Sequence, residues 1–146
     1  MTAGQRPRKD AGAPRLFTVA EANALLPEAR IAVATMRREL GLLRGLAPRL
    51  GFTLPVDVRL PFGDAAVPVA YAGALRRLFE AHEGLRERGV WVKDPQAGLV
   101  DFPTLDGTRL VLLCWRDGED SIGWFHDLHS GFGGRRPLGD LGRPSE

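Results

Sequence analysis

At Gly89 the recurrence of apolar residues changes period, and that change sets the fold class. Upstream, Ala22, Leu26, Ala29, Val33, Met36, Leu40, Leu43 and Ala47 recur at alternating steps of four and three, the spacing of one helical stripe. Thr18 and Glu21 form a capping box ahead of it, each side chain satisfying a free backbone N–H. Pro27 has no N–H and clashes with the preceding turn, so it kinks the helix or begins a second one. Arg30, Arg37, Arg38, Glu39 and Arg44 fall mainly off the stripe, and Gly41 and Gly45 weaken its last turns. Tyr71, Leu75, Leu78, His82 and Leu85 repeat the pattern over about 69–88. His82 lies on this second stripe and reads as a hydrogen-bonded core residue. Two helices with matching stripes are expected to pair as an antiparallel hairpin, the stripes being satisfied inside it or between two chains. Residues 48–68, with Pro48, Gly51, Pro55, Pro61, Gly63 and Pro68, read as a long connection.

Downstream of Gly89 short runs rich in Val, Leu, Ile and Trp alternate with Asp-Pro and Asp-Gly turns. "VWVK", "LVDFP", "RLVLLCWR" and "SIGWFHDL" read as a meander of four antiparallel strands. With "DGED" as a tight turn, Arg116 faces Ser121 and Val111 faces His126, which sets Cys114 and His126 on opposite faces. The last piece, "SGFGGRRPLGDLGRPSE", is expected to leave the sheet and fray. The expected fold is α+β: an antiparallel helical hairpin followed by a small antiparallel β-meander, as a single domain over 16–138. It is flanked by a disordered basic arm, 1–15, and a frayed tail, 139–146.

Charge and composition narrow the functions. The 146 residues carry 20 basic and 18 acidic side chains, a balance that argues against nucleic acid, while a pI near 9.2 leaves mild attraction for anions. Lys9 and Lys93 are the only lysines; arginine suits bidentate anion contacts. The single cysteine, Cys114, excludes an internal disulfide and lies in "LVLLCW", which reads as a buried strand. That run is too short to span a bilayer, and the first residues have no apolar signal core, so a cytoplasmic protein without a membrane role is expected.

Three chemistries can be assembled around the end of the sheet. For a divalent metal the candidates are His126, Asp101, Glu119 and Asp127, an imidazole and carboxylate set. His126 and His129 are three apart and diverge on a strand. Glu119 sits at a hairpin tip remote from His126, and Asp101 on a neighbouring strand is the better partner. The alternative is a histidine at a sheet end hydrogen-bonded to a carboxylate. For a small anion, Gly131, Gly133 and Gly134 beside Arg135 and Arg136 can form a backbone nest, with His126 and Trp115 completing the candidate ligand set. The alternative is that the glycines only turn the chain while Arg135 pairs with Glu119 or Asp127. For catalysis, Ser121 and His126 face opposite ways and no nucleophile elbow stands out, so the reading leans away from an enzyme.

"FTVAEANALLP", "VKDPQAGLVDFP", "LCWRDGEDSIGWFH" and "GFGGRRPL" together resemble a bacterial family known only as domain of unknown function 2203. The resemblance covers the start of the first helix and nearly all of 89–138. It implies a small cytosolic bacterial domain and no activity. Where the family tends to place Trp before the histidine, this chain has Phe125, and where it is usually acidic, this chain has His129.

The expected function is thus a non-enzymatic binding or interaction module. Trp91, Phe102, Trp115, Trp124, Phe125 and Phe132 crowd its sheet, and the helices offer self-association, with a homodimer favoured. An unidentified protein or a small anionic ligand is the other partner expected. The alternative is a metal- or anion-dependent site, hydrolytic in one form, centred on His126.

Overall fold

In the computed structural model of the chain, residues 15–51 and 66–142 are described. The arm 1–14, the stretch 52–65 and the end 143–146 lie outside them, and with these most of the arm and of the loop and half of the tail expected above.

The capping box forms as the sequence requires. The Glu21 amide donates to Thr18 Oγ1 at 3.0 Å, and the Thr18 amide to Glu21 Oε1 at 2.9 Å. It starts helix α1, Val19–Ala24. Leu25 breaks the run, and α2, Leu26–Leu46, begins with Pro27 in its first turn, where a missing N–H costs nothing. A 3₁₀ turn, Ala47–Leu50, follows. Helix α3 spans Ala66–Glu87, earlier than expected: Pro68 sits in its first turn rather than in the connection. Gly89, at φ 89°, closes α3. Its amide donates to Arg86 O while the Val90 amide donates to Leu85 O, the paired C-terminal bonds of a Schellman motif.

The stripes are used within the chain. Leu26, Ala29, Val33 and Met36 of α2 and Leu85 of α3 meet the sheet, while Leu43, Leu46 and Ala47 pack with Tyr71 and Ala74 beyond its edge. The hairpin therefore both covers the sheet and outruns it. Two positions depart from the stripes read in the sequence. Glu39, not Leu40, is buried, because its carboxylate reaches Arg77 of α3 at 3.1 Å and Arg38 at 3.3 Å. His82 also departs: its side chain is 42% exposed, 3.6 Å from Glu83, so it is a surface residue and not a core one.

The sheet is a meander of five strands rather than four, β1 Trp91–Asp94, β2 Leu99–Asp106, β3 Arg109–Arg116, β4 Trp124–Asp127 and β5 Arg136–Pro137, antiparallel in sequence order. The glycine-rich end does not leave the sheet. It turns through Phe132–Gly134 and returns to pair Arg136 with Phe125 and Pro137 with Trp124. Val100, Phe102, Val111, Leu113, Trp115 and Phe125 point into the helix-facing core. By alternation Asp101, Leu112, Cys114 and His126 point to the other face, and they too are buried.

Candidate metal centre

Two hairpins decide which side chains meet. Between β2 and β3 the chain turns through Gly107 and Thr108, which sets Asp106 opposite Arg109 and so, counting back along both strands, Asp101 opposite Cys114. Between β3 and β4 the connection is an irregular segment, 117–123, and Ser121 is in no strand. Leu112 therefore faces His126, and Cys114 faces Trp124. This is one residue away from the register expected from "DGED". Because side chains alternate with a period of two, a slip of one exchanges faces. Cys114 and His126 thus share a face instead of opposing each other, and Asp101 joins them from the far side of β3.

The three donors converge. A ligand atom of each of Asp101, Cys114 and His126 lies within 4.8 Å of the others. His126 Nε2 is 3.2 Å from Asp101 Oδ1. His126 Nδ1 is 2.7 Å from the Asp127 carbonyl, which can only accept, so Nδ1 carries a proton and Nε2 is the nitrogen offered to the cluster. Among the described residues Asp101 Oδ2 has no hydrogen-bond partner although it is buried. The side chains of His126 and Asp101 are 2% and 1% exposed. The Asp101 hydrogen bond, then that of Cys114, pushes the imidazole up to about 10 against the opposing effect of burial. In the absence of another cation the Asp101 carboxylate favours the charged form of the ring.

The other sequence candidates lie apart from this cluster. Glu119 is bound to Arg135 Nη2 at 2.8 Å and accepts the Arg116 amide. Burial pushes its carboxyl up, but those hydrogen bonds together outweigh it and hold the group below the ordinary carboxylate range. Arg135 also donates to the Cys114 carbonyl at 3.3 Å and stacks on Trp124 and Phe132. It braces the backbone of the centre while its charge is matched by Glu119. The Asp127 carboxylate caps the amides of His129 and Ser130; only its carbonyl touches His126. Gly131, at φ 66°, makes the turn into Phe132–Gly134. Trp115 is on the helix-facing side, its indole N–H bonded to the Glu119 carbonyl. His129 is exposed and is not brought to His126.

The residue that sequence reasoning left out is Cys114. Its signal was the Asp-Gly turn at 106–107, whose two-residue loop pairs Asp101 with Cys114 by counting alone.

An α+β domain with a buried cysteine–histidine–aspartate cluster on the sheet face away from its helices is the class that fold and site define. The chain belongs to the family described as "Uncharacterized conserved protein (DUF2203)", which matches residues 15–138. No curated protein and no solved structure matches it. Among the described residues no helix is long and apolar enough to cross a membrane.

Proposed function

We propose that this is a cation-binding domain whose Asp101–Cys114–His126 centre holds a zinc-class divalent metal. The observation that carries the reading is the buried, unpartnered Oδ2 of Asp101 beside Nε2 and the Cys114 thiol. A buried carboxylate oxygen without a partner is costly, and a cation among these atoms supplies what it lacks. The histidine has the orientation of a ligating ring, with Nδ1 on a carbonyl and Nε2 turned to Asp101 and Cys114, where a cation would replace its proton. A sulfur donor favours zinc over magnesium or calcium, which prefer all-oxygen shells. Coordination releases the Nε2 proton and the thiol proton to solvent. Burial of all three donors favours an ion that is held over a site for turnover.

Elemental analysis of the purified protein, followed by zinc and cobalt titration of chelator-treated samples, tests the reading. One zinc per chain is expected. Bound cobalt should give a thiolate-to-metal absorption band that disappears in Cys114→Ala, and binding should be lost in His126→Ala. Equal metal affinity in wild type and both variants would end the proposal.

A further inference from the structure

We infer that the groove between α2 and α3 is the contact surface for a second copy of this chain, related by a two-fold axis. The groove has a volume of about 700 Å³. The hairpin's ion pairs fix its levels. Glu28 meets Arg88 at 2.7 Å, and Glu39 meets Arg77 at 3.1 Å. The first pair sums to 28 + 88 = 116 and the second to 39 + 77 = 116, so both report one antiparallel alignment. Eleven residues of α2 separate them, roughly 16 Å at the helical rise. Midway between them the floor is lined by Ala32, Thr35, Ala81 and Gly84. On its rim stands Ile31, 70% exposed.

The charge around this floor is antisymmetric about its middle. At one end Glu28, Glu87 and Arg88 leave one negative charge in excess. At the other Arg38 and Arg77 share the single carboxylate of Glu39 and leave one positive charge in excess. Glu80, between them, is balanced by Arg76 at 3.9 Å. A two-fold axis through the middle lays the acidic end of one copy on the basic end of the other, twice. It also sets each Ile31 over the small-residue floor opposite. An isologous interface requires this reciprocity, in which a patch is its own complement. A membrane would ask for one sign of charge along the groove, and an unrelated peptide would not require the symmetry. The seam residues are already spent inside the hairpin, so the assembly uses the outer groove and not the stripes.

Light scattering coupled to size exclusion, on the full chain at micromolar concentrations, tests this. The expected mass is twice 15.9 kDa at low salt, shifting towards the single-chain mass as salt rises. Ile31→Glu and, separately, Gly84→Phe should each give the single-chain mass. No heavy atom lies within 4 Å of a Cβ built at Gly84, so that variant tests the interface even if Ile31→Glu folds poorly; thermal melts by circular dichroism verify folding. A wild type that stays at the single-chain mass overturns the inference. So does a dimer that survives Gly84→Phe.

Discussion

His126 and Asp101 touch across an intervening strand: Nε2 and Oδ1 are 3.2 Å apart, yet β4 and β2 are separated by β3, on which Leu112 faces His126 and Cys114 faces Asp101. The pair is buried, with the Cys114 thiol beside it. Removing one partner leaves the other charge without compensation. Asp101→Asn is expected to destabilise the metal-free protein by about 3 kcal/mol, the cost of breaking a buried pair, measured by urea unfolding at neutral pH in the presence of chelator. A change under about 0.5 kcal/mol, the size of an ordinary surface substitution, would contradict the pairing.

If the centre binds metal, folding and binding are linked. Free zinc at a thousand times its dissociation constant should raise unfolding free energy by about 4 kcal/mol. Chemical denaturation with and without chelator reads this directly. The same comparison in Cys114→Ala should show a much smaller difference.

Glu39 makes the hairpin sensitive to acid. The Arg77 hydrogen bond, opposed by burial and aided by Arg38, holds its carboxyl below the ordinary value of 4.5. A depressed carboxylate stabilises the fold at pH above its unfolded value, and that contribution is lost as pH falls through the folded value. Wild type should therefore weaken below about pH 4.5 more steeply than Glu39→Gln. At neutral pH the variant should cost about 1–2 kcal/mol, because the partly exposed Arg77 regains water. Denaturation midpoints across pH 3–7 compare the two.

Gly98 and Gly107 separate two kinds of glycine requirement. Both have positive φ, 75° and 67°. A Cβ at Gly98 would stand 2.7 Å from Asp117 Cβ and 3.2 Å from Val33 Cγ1, whereas nothing lies within 4 Å at Gly107. Gly107→Ala should cost about 1 kcal/mol for the left-handed backbone alone. Gly98→Ala should add the cost of overpacking where sheet and helix meet, for a total of about 2–4 kcal/mol. Equal losses in thermal unfolding would refute the distinction.

Arg135 distinguishes the metal centre from an anion site. Its guanidinium is already bound by Glu119 and the Cys114 carbonyl. Arg135→Ala should lower stability by about 1–3 kcal/mol, yet zinc stoichiometry should stay at wild-type level by elemental analysis. Loss of phosphate binding together with unchanged stability would favour the anion reading.

The fold was legible where local chemistry repeats. The box at Thr18 and Glu21, the break before Pro27, the cap at Gly89 and the change of period beyond it each write one structural choice into a few residues. Glu39 was not legible. A carboxylate at a position adjoining the stripe reads as solvent-facing until Arg77, thirty-eight positions on (77 − 39 = 38), is known to lie opposite. The strand formed by Arg136 and Pro137 was hidden for a similar reason, since Gly131 and its neighbours look like an exit.

For the site, the two hairpins differ. The Asp106–Arg109 turn leaves no freedom, so Asp101 and Cys114 were within reach of counting. The 117–123 connection opens on a turn, the Glu119 amide donating to the Arg116 carbonyl, but four further residues precede β4. Its path depends on distant side chains: Ile122 N–H donates to Asn23 Oδ1, Arg30 donates to the carbonyls of Glu119 and Asp120, and Arg37 binds Asp117. No local rule predicts such anchoring, and a one-residue error there concealed the sulfur.

Those same anchors join two parts of the molecule that their chemistry would keep separate. Asn23, Arg30 and Arg37 all belong to α1 and α2, and the segment they grip ends at Gly123, three positions before His126. The helical layer is thus hydrogen-bonded to the segment that leads into the strand bearing the imidazole, so side chains remote from the cluster in sequence help set where that strand begins.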